Sequence, residues 1–277
     1  MFPVFHFSVG AFTCHVFDDG TSLLSETDIS AMFVHDAARI LPIFRAYPVP
    51  LGMSANVLLI EVQGRRILVD SGSGLGDQAM PGQLWTALRQ AGFPAESIDT
   101  VVISHFHMDH IGGLLNTDNQ AVFPNAHLIT SRPEYSHWMS ESFLAGLEPK
   151  RSARLRKTFE QYANRLELVD PDTEIMPGIC LIPLPGHTPG HCGIDLNSQG
   201  QRLLHFIDTV HLPIQLNAEE VSPTYDAQPE FAIATRRAVL DRAVREARLV
   251  MAYHFPFPGI GHIQQKDGSK HWMPLTS

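Results

Sequence analysis

Cysteine is scarce in this 277-residue chain: Cys14, Cys180 and Cys192 form no C-x-x-C pair and leave an odd count, so a disulfide framework is not indicated. A reducing compartment fits, and a cytoplasmic setting is expected. Basic residues are also few, with 20 Lys and Arg against 29 Asp and Glu and a formal charge of -9. That balance opposes contact with a phosphate backbone and sets nucleic acid aside as a partner. No run approaches the roughly 20 apolar residues that a membrane span needs, so no membrane association is expected. The start, MFPVFHFSVG, lacks a basic leader region and is broken by Pro3 and His6, which makes it a poor secretory signal. Fixed-period repeats, low-complexity tracts and internal linkers are absent too, which removes solenoid architectures. One domain over residues 1–277 is expected, with an N-terminal extension of about 1–50 packed on it.

What is present is enough for a core: 44% of the residues are hydrophobic. Asn56 to Val62 and Arg66 to Asp70 read as a hairpin joined through Gln63-Gly64-Arg65. Pro81 to Ala91 has helical spacing, with Gly92 as its stop, and Thr100 to Ser104 is β-branched strand. Ser131 to Asp170 reads as helical, including a charged helix over Arg151 to Leu168, and Pro229 to Ala247 as a further long helix. Short apolar runs at Ile179 to Leu184, Arg202 to Ile207 and Leu249 to Tyr253 each lead into a metal-ligand type: His187, Asp208 and His254. Ligands at strand ends of one sheet edge are expected from that repeated design.

Ser-His-Phe-His-Met-Asp-His-Ile-Gly-Gly at 104–113 carries the chemistry. Imidazole nitrogen and carboxylate oxygen suit Zn²⁺ and similar divalent ions. On an extended segment His105 and His107 project to one side, while Asp109 and His110 lie beyond on the turn, so two subsets can face two ions. The loop Pro185-Gly186-His187-Thr188-Pro189-Gly190-His191 offers His187 as a ligand, or simply as a loop histidine, with His191 as an outer neighbour that orients ligands. Asp208 reads either as a carboxylate shared between two ions or as a helix cap. His254, after Met251-Ala252-Tyr253, completes two sets.

The order HFHMDH, PGHTPGH, FID and YH resembles the metallo-β-lactamase fold superfamily in its two-metal hydrolase form, over about Asn56 to His262. The resemblance implies an α/β fold, an αββα sandwich with mixed sheets, outer helices and the metal site at one edge. It implies two divalent ions, Zn²⁺ first, with Mn, Fe or Co as alternatives. His105, His107 and His187 would hold one ion, Asp109, His110 and His254 the other, with Asp208 between them. The stretch NVLLIEVQGRRILVDSG is similar to the family's first strands, with Asp70 as a buried carboxylate that orients ligands. Two ions about 3.5–4 Å apart can share a hydroxide that is nucleophilic near neutral pH. Asp109 is then also a candidate proton acceptor.

Branches of the superfamily separate on particular residues. Redox members usually carry Glu where this chain has His107 and append a flavin domain. Zinc β-lactamases generally lack the shared carboxylate, and RNA-processing members want a basic surface. Asp208-Thr209-Val210-His211 and the stretch Ala252 to His262 resemble the branch containing methyl parathion hydrolase and quorum-quenching lactonases. Acyl-homoserine lactonases of the other common branch carry Tyr three positions after the shared Asp, where this chain has His211. His211 is accordingly either a catalytic helper or a buried structural histidine. The expected substrate is a neutral small-molecule lactone of the acyl-homoserine type or a related ester, and the expected assembly a homodimer. Organophosphate triester hydrolysis, glyoxalase II-like thioester hydrolysis and a metal-dependent sensor without turnover are the alternatives. Leu51, Met53, Trp138, Phe143, Phe255 and Phe257 are expected as a group to form an apolar mouth, although each taken alone is better explained by core packing.

Overall fold

The computed structural model describes residues 2–75 and 82–275. Among them, two seven-stranded mixed sheets face each other. The first sheet is built in spatial and chain order from β1 (Val4–Val9), β2 (Phe12–Leu23), β3 (Gly52–Val62), β4 (Arg65–Val69), β5 (Thr100–Ile103), β6 (His127–Ser131) and β7 (Leu166–Val169). The second holds β8 (Thr173–Met176), β9 (Ile179–Pro183), β10 (Cys192–Ser198), β11 (Gln201–His205), β12 (Leu249–Met251), β13 (Ile260–Lys266) and β14 (Ser269–Pro274). Pairing is antiparallel from β1 to β4 and parallel from β4 to β7. In the second sheet only β11 and β12 run parallel, connected by a long helical crossover.

Local chemistry explains most of these elements. β3 is buried along nearly its whole length because β2 and β4 flank it and both faces are covered, which is why its sequence is an apolar run rather than an alternation. The β3–β4 turn is the two residues Gln63 and Gly64, with φ of 49° and 76°, the positive pair that a tight hairpin turn requires. The expected hairpin forms, with β3 starting earlier, at Gly52.

Helices cover the outer faces. α1 (Glu26–Met32) opens with a Ser25–Asp28 capping box, and α2 (Ala37–Arg45) packs beside it. α3 (Leu84–Gln90) lies within the expected helix; Pro81, its expected first residue, lies outside the described residues. α4 (Met108–Ile111), α5 (Arg132–Trp138), α6 (Glu141–Gly146), α7 (Pro149–Tyr162) and α8 (Pro229–Arg245) follow. The helix expected over Arg151 to Leu168 stops early: Leu166–Val169 is strand β7, paired in parallel with β6. There the Leu-Glu-Leu-Val alternation fits a strand at the sheet edge, and pairing outweighs the helical charge pattern.

The sandwich interior joins Val16, Leu58, Ile60 and Val102 of the first sheet to Ile179, Ile194 and Leu203 of the second. Each such side chain contributes about 1.5–3 kcal/mol on burial. α8 sets Val239, Leu240 and Ala243 on the outer face of the second sheet, against Leu204 and Val250. This is the expected αββα sandwich.

An ion cluster fastens α8 to that sheet. Asp195 on β10 accepts hydrogen bonds from both terminal nitrogens of Arg248 and from Arg242 Nη2, and the Arg248 side chain is 1% exposed. Burial works against ionisation of Asp195, but the Arg248 and Arg242 contacts outweigh it and hold its carboxyl below the usual range. A lowered carboxyl contributes stability above its unfolded pKa, and that contribution is lost as pH falls through its folded pKa. Asp195→Ala would leave Arg248 buried without its main partner, at a cost of about 3–5 kcal/mol. Thermal melts at neutral pH should show that loss, and the gap to the wild type should narrow as the solution is acidified.

Candidate metal centre

The first motif leaves β5 at Ile103, runs extended through His105 and His107, and turns into α4, which carries Asp109 and His110. Asp70, just past β4, fixes this turn. Its Oδ1 accepts from the Ser104 backbone N–H (2.8 Å) and its Oδ2 from the Ser104 hydroxyl (2.8 Å) and His110 Nδ1 (2.8 Å). His187 lies in the turn between β9 and β10, Asp208 in the tight turn after β11, and His254 just after β12. The expectation of one shared sheet edge is corrected here. β5 belongs to the first sheet and β9, β11 and β12 to the second, so the site forms where the ends of two sheets meet.

Hydrogen bonds decide which nitrogen each ring presents. His105 Nδ1 bonds the Ser104 hydroxyl, His110 Nδ1 bonds Asp70, His187 Nδ1 bonds Asp226 (2.9 Å), and His254 Nδ1 bonds the Ser54 carbonyl (2.9 Å). All four therefore turn Nε2 inward, while His107 turns Nδ1 inward. Two groups result: His105, His107, His187 and Asp208, and Asp109, His110, Asp208 and His254, with the atoms in each group within 4.8 Å of one another. His107 Nδ1 stands 3.1 Å from His105 Nε2 and 2.8 Å from His187 Nε2, and it can give a proton to only one of them. Asp208 Oδ2 belongs to both groups, at 3.7 Å from His105, 3.4 Å from His187, 3.3 Å from His110 and 3.2 Å from His254. Tetrahedral ligands at about 2.0–2.2 Å from an ion lie roughly 3.3–3.6 Å apart. Among the described residues, His110 Nε2 and Asp208 Oδ1 are buried with no hydrogen-bond partner. Asp208 caps no helix.

Electrostatics points the same way. Burial, then the neighbouring imidazoles, pull His105 well below its ordinary value, His107 down to about 3 and His187 to about 4, so these rings offer lone pairs. Burial also disfavours charge on His110 and His254, yet Asp208 and Asp109 override it, raising His110 well above its ordinary value and His254 to about 10. Burial likewise opposes ionisation of Asp109 and Asp208, but His110 and His254 hold both well below the carboxylate range. A buried carboxylate such as Asp208 demands positive charge. Converging lone pairs, an orphaned nitrogen, the buried Asp208 and the partly exposed Asp109 fit divalent cations.

The site opens into a cavity of about 400 Å³ lined by Met53, His107, Met108, Asp109, Arg151, His187, Asp208, His211, Tyr225 and His254. His211 Nε2 is 3.4 Å from Asp208 Oδ2, and among the described residues neither of its ring nitrogens has a hydrogen-bond partner. His191 faces the other side of Asp208: it bonds the Leu184 carbonyl through Nδ1 and accepts from the Asp208 backbone N–H through Nε2 (3.3 Å). Of the expected mouth residues, Met53 lines the cavity and the other five pack elsewhere. Phe255 follows His254 and points the opposite way, onto Phe206 and Trp272. Leu51 is buried with α1 and α2, Phe257 packs on the main core, and Trp138 meets Phe143 edge-on while backing His107 and Arg151 of the cavity wall. Met108, Arg151 and Tyr225 occupy the wall instead. Sequence reasoning also missed Asp226, the partner of His187, because it lies 39 residues further on in a loop without periodic signal.

A family model described as the metallo-beta-lactamase superfamily matches residues 51–254. A probable metallo-hydrolase of Mycobacterium tuberculosis is 28% identical over 248 residues, covering 74% of this chain and 76% of that protein. An N-acyl homoserine lactonase of Bacillus cereus is 25% identical over 192 residues, covering 67% of this chain and 64% of that protein. Among solved structures, the dizinc quorum-quenching lactonase AidC, in complex with a product, superposes with a TM-score of 0.89 at 24% identity, over 99% of this chain and 98% of that one.

Proposed function

We propose that this chain, which belongs to the metallo-beta-lactamase superfamily, is a hydrolase that holds two divalent ions, Zn²⁺ first among them, and opens lactones of the acyl-homoserine type. The observation that carries the reading is one atom. Asp208 Oδ2 lies within 3.2–3.7 Å of four inward-facing histidine nitrogens drawn from both ligand groups. His105, His107 and His187 would hold one ion and Asp109, His110 and His254 the other, with Asp208 serving both. When bound, such a pair supplies a water-derived nucleophile near neutral pH and polarises the substrate oxygen.

The remaining roles belong to side chains. Asp109, 38% exposed toward the cavity, is placed to accept a proton from attacking water. His211, with no partner of its own, faces the same space and would hydrogen-bond the reacting or departing oxygen. Asp70 and His191 hold the ligands in orientation, as outer contacts do around metals. The methionines at the cavity wall suit a neutral substrate with an apolar tail, and the lactonase relatives support the choice of ester class. The reading takes residues 1–277 as one domain, with a cytoplasmic homodimer as the working form. Among the described residues, no helix is long and apolar enough to cross a membrane.

A panel of lactones of several chain lengths, aryl esters, a paraoxon-type triester and a β-lactam, run on metal-analysed protein, tests the substrate. Lactones should turn over fastest; activity confined to small charged esters would sink the reading. Asp109→Asn should lower kcat by about 10²-fold, the scale of general-base loss. Full activity with unchanged metal content would remove the proton-accepting role.

A further inference from the structure

Behind His187 lies a second layer of charge that none of the ligand motifs contains. Asp226 is 6% exposed, and each of its oxygens is committed. Oδ1 accepts from His187 Nδ1 (2.9 Å), while Oδ2 accepts from the Ser222 hydroxyl (2.6 Å) and from Arg236 Nη2 (3.1 Å). Arg236, from the buried face of α8, is fully enclosed. Its other nitrogens donate to the carbonyls of Thr209 (2.9 Å), Glu219 (2.9 Å) and Val221 (2.7 Å). Thr209 directly follows Asp208. One guanidinium therefore grips the turn that carries the shared carboxylate and, through Asp226, the imidazole that faces it. The two ligand groups are matched in this respect. His110 in one leans on Asp70, and His187 in the other leans on Asp226.

We infer that Asp226 and Arg236 are positioning residues for the ion held by His105, His107 and His187: Asp226 fixes which nitrogen His187 presents, and Arg236 locks Asp226 and the Asp208 turn in register. A carboxylate behind a metal-bound imidazole fixes its tautomer and raises its basicity, and losing one typically weakens metal affinity about 10- to 100-fold. This inference rests on the two-group reading above and adds an asymmetry to it, because each outer carboxylate touches one imidazole of its own group directly, Asp70 reaching His105 of the other group only through the Ser104 hydroxyl.

Cobalt(II) titration of stripped protein, followed by visible absorption and calorimetry, separates the two ions without recourse to turnover. Asp226→Asn should weaken one of the two binding events about 10- to 100-fold and leave the other unchanged. Asp70→Asn should weaken the complementary event. The absorption band lost in one variant should persist in the other. Arg236→Lys should preserve both bands with reduced affinity at the Asp226-governed event. Should Arg236→Lys fail to fold, the Asp226→Asn and Asp70→Asn pair still decides. Two ions bound by wild type and bound equally tightly by Asp226→Asn would overturn the inference while leaving the two-ion reading intact. Equal weakening of both events in both variants would overturn it as well. A wild type that takes up fewer than two ions would overturn both.

Discussion

Treatment with a strong chelator should abolish hydrolysis, by at least about 10⁵-fold, since the proposed ions would supply both nucleophile and electrophile. Among the described residues neither Ser nor Cys lines the cavity, so a serine- or cysteine-type acyl-enzyme has no nucleophile there. Activity should return with added Zn²⁺, Mn²⁺ or Co²⁺, and elemental analysis should show two ions per chain at full recovery. Stability should fall together with activity. Asp109 and Asp208 lie 3.2–3.5 Å from ring nitrogens of His110 and His254, so bound cations would add positive charge beside both carboxylates and their removal would take it away. A ligand that binds only the folded state raises stability with its free concentration, so the melting temperature should climb with each ion restored. Residual turnover in thoroughly stripped protein would contradict the proposed chemistry.

Asp208→Ala should be the most damaging single substitution. It removes the one oxygen common to both groups, so the loss should exceed the roughly 10- to 100-fold typical of an outer orienting contact, reaching about 10³-fold or more in kcat. Metal content should drop toward one ion per chain or below. The fold should survive, because Asp208 makes no helix cap and its Oδ1 has no hydrogen-bond partner. Far-ultraviolet circular dichroism should therefore match the wild type. Two tightly held ions in Asp208→Ala would show that the groups do not depend on a shared carboxylate.

The candidate ligands that the fold brings together were legible in the sequence because metal chemistry restricts residue type, and because strand ends hold such residues at fixed spacings. His105, His107, Asp109 and His110 stand within one turn of chain, and the family resemblance linked them to His187, Asp208 and His254. The αββα fold followed from that resemblance, together with the short apolar runs. Substrate contacts were harder to read. Trp138 and Phe255 are aromatic in either environment, and only the packed sheets decide whether such a ring meets a cavity or a core. Phe255 illustrates the reason: it directly follows His254 in a bend past β12, yet it packs onto Phe206 and Trp272 while His254 faces the site. Asp226 and Arg236 belong to a loop and a helix face whose own patterns look ordinary. Their meaning arises from hydrogen bonds across long stretches of sequence. The end of the charged helix was misread because pairing with β6 claimed Leu166–Val169.

Among the described residues, the chain passes from one sheet to the other once, between β7 and β8. The amino-terminal half thus owns His105, His107, Asp109 and His110, and the carboxy-terminal half owns His187, Asp208 and His254. Neither half can assemble a full coordination set for either ion. Each cation would act as a rivet through both halves, joining points as far apart in sequence as His107 and His187, which are separated by 80 positions. Cut at the crossover, the polypeptide would become a two-piece lock, in which metal capture would report that the pieces have found each other.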